Sequence, residues 1–83
     1  MPDSKRLARL RTNPAGNWTI DDIAAACREF QIRCVPPSGG GSHWKVSDSS
    51  QRDILTIPSR RPVKAVYVRR LVKFIDSVLE SRE

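Results

Sequence analysis

One histidine, His43, stands in the whole chain, and a run of small residues, Gly39-Gly40-Gly41-Ser42, leads into it and the stretch Trp44-Lys45-Val46-Ser47 that follows. Strand alternation sends Trp44 and Val46 to one face and His43, Lys45 and Ser47 to the other, so an imidazole and an ammonium share the outward face. Imidazole has an ordinary pKa near neutrality, which makes His43 the natural group for proton transfer here. Beside an RNA backbone it could deprotonate a ribose 2′-hydroxyl for attack on the adjacent phosphate, or protonate the departing 5′ oxygen. Separate histidine acid and histidine base are excluded within one protomer. Either Lys45 stabilises charge on the phosphorane or water completes the proton traffic. The plainer reading is a surface histidine behind a flexible glycine turn.

Other chemistries find less support in the residue types. A metal site lacks a second histidine and a Cys-x-x-Cys pair; Asp21, Asp22 and Glu29 belong to an exposed helix face, while Asp48 and Asp53 flank a hairpin. Nothing in the pattern asks for a cofactor. Gly39 to Gly41 is not a nucleotide phosphate loop, because no Lys-Ser/Thr follows and the next element is a strand. Cys27 and Cys34 occupy apolar positions of a helix and a strand and read as buried free thiols; a Cys–His pair stays open on residue types alone, although Cys34 shares the inward side with Ile32. Arg60, Arg61 and Lys64 precede a helix, so their charges and the helix's unbonded N–H groups could meet one phosphate, unless the segment is simply a solvated loop.

Length and charge narrow the class. Eighty-three residues make a single small domain, 1–83, with a modest core and little scope for a deep cleft. Fifteen Lys and Arg against nine Asp and Glu give a formal charge of +6, which favours a polyanionic partner such as nucleic acid or an acidic protein. No apolar run suits a membrane span or a secretory leader, so the expectation is a soluble cytoplasmic protein.

The elements that must position His43 follow from spacing. Met1–Ser4 is expected to be loose. Lys5–Arg11 can form a short helix that buries Leu7 and Leu10 and turns Lys5, Arg6, Arg9 and Arg11 to water, a face that could also touch RNA. Asn13-Pro14-Ala15-Gly16-Asn17 ends it. Thr19 and Asp22 form a capping-box pattern with Trp18 as a staple onto Ile23, and Ile23, Ala24, Cys27 and Phe30 carry the helix to about Phe30. Strands are expected over Ile32–Val35, His43–Ser47 and Asp53–Ile57, broken by Pro36-Pro37, by Asp48–Arg52 and by Pro58. Val68, Leu71, Val72, Ile75 and Leu79 then mark a final helix over Ala65–Leu79, with Tyr67 at the margin of its apolar stripe and Glu80–Glu83 fraying. The order α-α-β-β-β-α predicts an α+β two-layer domain, a three-stranded antiparallel sheet covered on one face by helices. Its αβββα part, about 18–79, has the topology of a double-stranded RNA-binding domain.

Gly41-Ser42-His43-Trp44-Lys45-Val46, Thr56-Ile57-Pro58 and Tyr67-Val68-Arg69-Arg70-Leu71-Val72 together resemble the HicA family of toxin–antitoxin systems. The likeness spans roughly Trp18 to Val78, and Gly-Ser-His at the second strand is its most specific piece. Family members often carry Gly where this chain has Gln31, His near Ser59-Arg60-Arg61, and Gly-Thr in place of Lys64-Ala65-Val66, which points to a longer, divergent branch. The resemblance implies a small ribonuclease that cleaves messenger RNA without a metal and is neutralised by a HicB-like antitoxin. It gives His43 the catalytic role, with Gly41, Ser42 and Lys45 beside it. A non-catalytic RNA-binding module, contacting phosphates through Lys45, Arg60, Arg61 and Lys64, is the alternative, and a domain for an acidic protein partner is a third.

Overall fold

Helix α1 (Lys5–Thr12) begins where a side chain can cap it: Ser4 Oγ accepts the Leu7 N–H at 2.9 Å. The computed structural model describes residues 4–83. Of the segment expected to be loose, residues 1–3 lie outside the described residues, and Ser4 is fixed by this cap. Leu7 and Leu10 are buried as their spacing requires. The basic face of α1, however, does not simply face water. Arg6 pairs with Glu29 at 2.7 Å, and Arg11 forks onto both oxygens of Asp76 at 2.8 Å. Those contacts lash α1 to the two helices beneath it.

Helix α2 (Ile20–Glu29) starts at the expected box. Asp22 N–H donates to Thr19 Oγ1 at 3.3 Å, and Thr19 N–H donates back to Asp22 Oδ2 at 2.8 Å, so two of the orphan donors of a helix start are satisfied. Its buried stripe runs Ile20, Ile23, Ala26 and Cys27, with Ala26 rather than Ala24 inward. The helix ends in a left-handed turn at Gln31, φ 57°, closed by Ile32 N–H to Cys27 O at 2.9 Å and Gln31 N–H to Arg28 O at 3.2 Å. These are the two bonds of a Schellman motif, with glutamine where glycine is easiest.

The sheet is a meander in the order β1 (Arg33–Val35), β2 (His43–Ser47), β3 (Leu55–Pro58), antiparallel throughout. Cys34 pairs with Val46, and Val46 with Leu55; Trp44 pairs with Ile57. These five form the inner face, with Val46 and Ile57 fully buried. The third strand begins two residues later than its β-rich sequence suggests. Asp48 accepts from Ser50 N–H at 3.1 Å and Ser50 O–H at 2.6 Å, a local turn that keeps the chain out of the ladder, and Ile54 is left 59% exposed.

Helix α3 (Ala65–Ser81) lies across the inner face and buries Val68, Leu71, Val72, Ile75 and Val78. Val78, not Leu79, takes the last core position. The C-terminal turn is fastened rather than frayed, since Arg82 donates to Phe30 O and contacts Asp48 Oδ1 at 3.3 Å. The result is α+β: three helices and a three-stranded antiparallel sheet, with α2 beside β1, α3 beside β3, and α1 packed on α3. Among the described residues no helix is long and apolar enough to cross a membrane.

Gln31→Gly removes the steric penalty of a left-handed L residue, offset partly by greater freedom in the unfolded chain, and should raise stability by about 1 kcal/mol in urea denaturation. Asp76 is held below the usual carboxylate range by the Arg11 guanidinium. A depressed folded-state pKa stabilises above the unfolded value, about 4, and that contribution is lost as pH falls through the folded one. Asp76→Asn should therefore lower stability at pH 7 by no more than about 1 kcal/mol, because the pair is partly exposed, and the variants should converge in acid.

Candidate active site

The phase of β2 decides where the imidazole goes. With Trp44 and Val46 inward, His43 and Lys45 must face out, and both are exposed. His43 also sits at the end of its strand, in register with Pro58, the last residue of β3. One more rung, Ser59 N–H to Ser42 O at 2.8 Å, closes the ladder there. The site is thus at the rim of the sheet, where β2 begins and β3 ends.

The approach to that rim depends on glycine. Gly39 has φ 64° and Gly40 φ 82°, in the left-handed region where a Cβ is strained, although neither position has an atom within 4 Å of where that Cβ would lie. Gly41 is favoured by contact instead: an added Cβ would come to 3.3 Å from the Pro37 side chain, which would have to shift by a few tenths of an ångström. The loop therefore turns on two glycines and packs on the third.

The connector from β3 to α3 is held at both ends. At one end is the Ser59–Ser42 bond; at the other, Val63 N–H donates to Trp18 O at 2.8 Å, and the Val63 side chain is buried. Arg60 and Lys64 are carried on this pinned segment, and Lys64 is the N-cap residue of α3 without a side-chain cap. No acidic residue occupies the first turn of α3, so its positive end is uncompensated there.

These elements enclose an open cavity of about 480 Å³ lined by Ser42, His43, Pro58, Ser59, Arg60, Lys64 and Tyr67. Among the described residues no carboxylate is in the lining. The arrangement offers a dianion or a phosphodiester two cations, a helix N-terminus, hydroxyls and an imidazole in one place. His43 Nδ1 lies 3.3 Å from Ser42 Oγ. If Nδ1–H donates to the serine, Nε2 presents a lone pair and the ring can act as base; the imidazolium formed when Nε2 takes a proton keeps that bond and can act as acid.

Of the residues singled out in the sequence, the fold brings Ser42, His43, Arg60 and Lys64 together. Gly41, Lys45 and Arg61 stand outside the lining; Lys45 is one strand period away, about 7 Å along the same face. Tyr67 is the member that spacing did not identify as functional. Its half-buried place at the stripe margin was legible, but the contact with the cavity depends on how α3 crosses the sheet. The Arg70 guanidinium lies 5.5 Å above the Tyr67 ring centroid and holds it by a cation–π contact.

The thiols lie elsewhere. Cys27 is buried and Cys34 half-buried, both free. A hydrogen bond from Cys27 to Cys34, then burial, pushes the Cys27 thiol up, while the same bond draws Cys34 down. Cys34 is on the inner face and outside the cavity lining, so it does not pair with His43. Among the described residues, no three His, Cys, Asp or Glu side chains group as metal ligands would.

No protein-family model, curated protein or solved structure matches the chain.

Gly40→Ala isolates backbone strain from crowding, since the added methyl meets nothing. It should destabilise the fold by about 1 kcal/mol without a change in the far-ultraviolet spectrum, and an unaltered melting temperature would contradict the left-handed turn.

Proposed function

We propose that the cavity at His43 cleaves RNA by proton transfer, using a 2′-hydroxyl of the substrate as nucleophile and no metal. The observation that carries this reading is the convergence of one exposed imidazole with Arg60, Lys64 and the open N-terminus of α3 on a cavity whose described lining holds no carboxylate. His43 takes the 2′-hydroxyl proton at Nε2 while Ser42 Oγ accepts Nδ1–H. The 2′ oxygen bonds to phosphorus, the P–O5′ bond breaks, and O5′ receives a proton from the imidazolium or from water. The products are a 2′,3′-cyclic phosphate and a 5′-hydroxyl. Arg60 and Lys64 neutralise the charge gathering on the phosphorane oxygens, and Tyr67 donates a hydrogen bond into the same space.

The topology αβββα behind α1 supports a double-stranded RNA-binding-domain-like fold, in which the start of the final helix meets phosphate. The Gly41-Ser42-His43 resemblance extends the proposal: a HicA-type toxin acting on messenger RNA in the cytoplasm, held inactive by a HicB-like antitoxin that covers the His43 cavity. One observation favours a second reading, a binding module without catalysis. Among the described residues the imidazole's hydrogen-bond partner is the Ser42 hydroxyl, and no carboxylate orients the ring.

Labelled messenger RNA incubated in EDTA separates the two. Wild type should cut, and His43→Ala, folded by circular dichroism, should lose at least about 100-fold in rate, the usual contribution of a general acid or base. Equal cutting by both proteins would remove His43 from the mechanism. Salt-dependent binding without scission, weakened by Arg60→Ala and Lys64→Ala, would establish the binding module.

A further inference from the structure

A second groove, of about 360 Å³, opens beside the start of β3, next to the free edge that continues through Thr56, on the far side of the Tyr67–Arg70 contact. One wall is Arg52, Ile54 and Leu55, leading into and starting β3; the other is Arg70, Lys73 and Phe74 of α3. Three properties coincide there. First, β3 is the terminal strand of the sheet, so its outer backbone groups have no strand partner. The bond from Ser59 N–H to Ser42 O sets the phase of the ladder: Leu55 and Ile57 exchange bonds with β2, and Thr56, which is exposed, turns its N–H and C=O outward. Second, the floor is apolar. Ile54 is the most exposed large hydrophobic side chain among the described residues, and Phe74 and Leu55 are only partly buried. Third, the rim carries three cations, none of them in an ion pair among the described residues.

We infer that this groove takes an extended acidic peptide segment of a partner protein, which adds to β3 as a fourth strand. Each property matches one part of such a ligand. The free edge pairs with its backbone, Ile54 and Phe74 take its apolar side chains, and Arg52, Arg70 and Lys73 meet its carboxylates. A nucleic acid would use the cations but neither the strand edge nor an aliphatic floor. A second copy of this chain, at +6, is the wrong charge. The inference is independent of what His43 does.

The probe is a dye-labelled octapeptide of alternating glutamate and valine, with the lysine–valine octapeptide as control. The acidic peptide should bind, the basic one should not, and Arg70→Gln with Lys73→Gln should weaken binding about tenfold, the sum of two exposed charge contacts. Ile54→Ser should weaken it independently of salt. In amide spectra, the Thr56 N–H should shift and become protected from exchange on peptide addition. Binding that leaves the Thr56 amide unprotected, or that ignores the three substitutions, overturns the strand-addition model. So does an octauridylate that binds more tightly and is weakened by the same changes, which would make the groove a nucleic-acid track.

Discussion

Val46 lies fully buried at the centre of the sheet, in register with Cys34 on one side and Leu55 on the other. Because side chains alternate, burying that one valine fixes every other orientation along β2: Trp44 goes inward, and His43 and Lys45 go out. A slip of one residue would bury an imidazole and an ammonium and expose the core, which no contact in the domain could offset. The position of the imidazole is thus a consequence of core packing. Nothing at the rim has to hold it except the Ser42 hydroxyl.

The charged partners of His43 are positioned by a different device. Arg60 and Lys64 sit on a short connector, and an unrestrained loop would spread them into solvent. Two backbone bonds, Ser59 to Ser42 and Val63 to Trp18, fix its ends, and the buried Val63 side chain anchors it to the core. Arg60 and Lys64 are thereby brought to one cavity, whose described lining holds no carboxylate. Such a pair favours a bound anion, which is what the proposed phosphate contact requires.

Much of this was legible in the sequence because local chemistry dictated it. Thr19 and Asp22 wrote the start of α2, Leu7 and Leu10 the buried side of α1, and the alternation after Gly41 the bounds of β2. What escaped depended on partners far away in the chain. Asp53 and Ile54 have strand-forming neighbours, but the Asp48–Ser50 turn keeps them out of the ladder. Val63 looks like part of a basic loop until Trp18 offers it a carbonyl. Arg82 reads as a frayed end, yet Phe30 O and Asp48 lie within its reach. At the site, strand phase placed His43 outward and helix spacing placed Lys64 at a helix start. Only the crossing of α3 over the sheet brought them together, and it added Tyr67.

If the cavity does cut RNA, the smallness of the domain ceases to be a puzzle. The substrate carries its own nucleophile, already tethered next to the scissile phosphate, and that intramolecular placement replaces the nucleophile and much of the positioning a larger enzyme must provide. What remains for the protein is to take one proton, neutralise one phosphate and align the chain. A rim of one imidazole, two cations and a helix end is sufficient for that. It also explains why the site is open: a backbone with the same phosphate at every step needs no enclosing pocket, and selection among RNAs has to come from surfaces beyond the cavity.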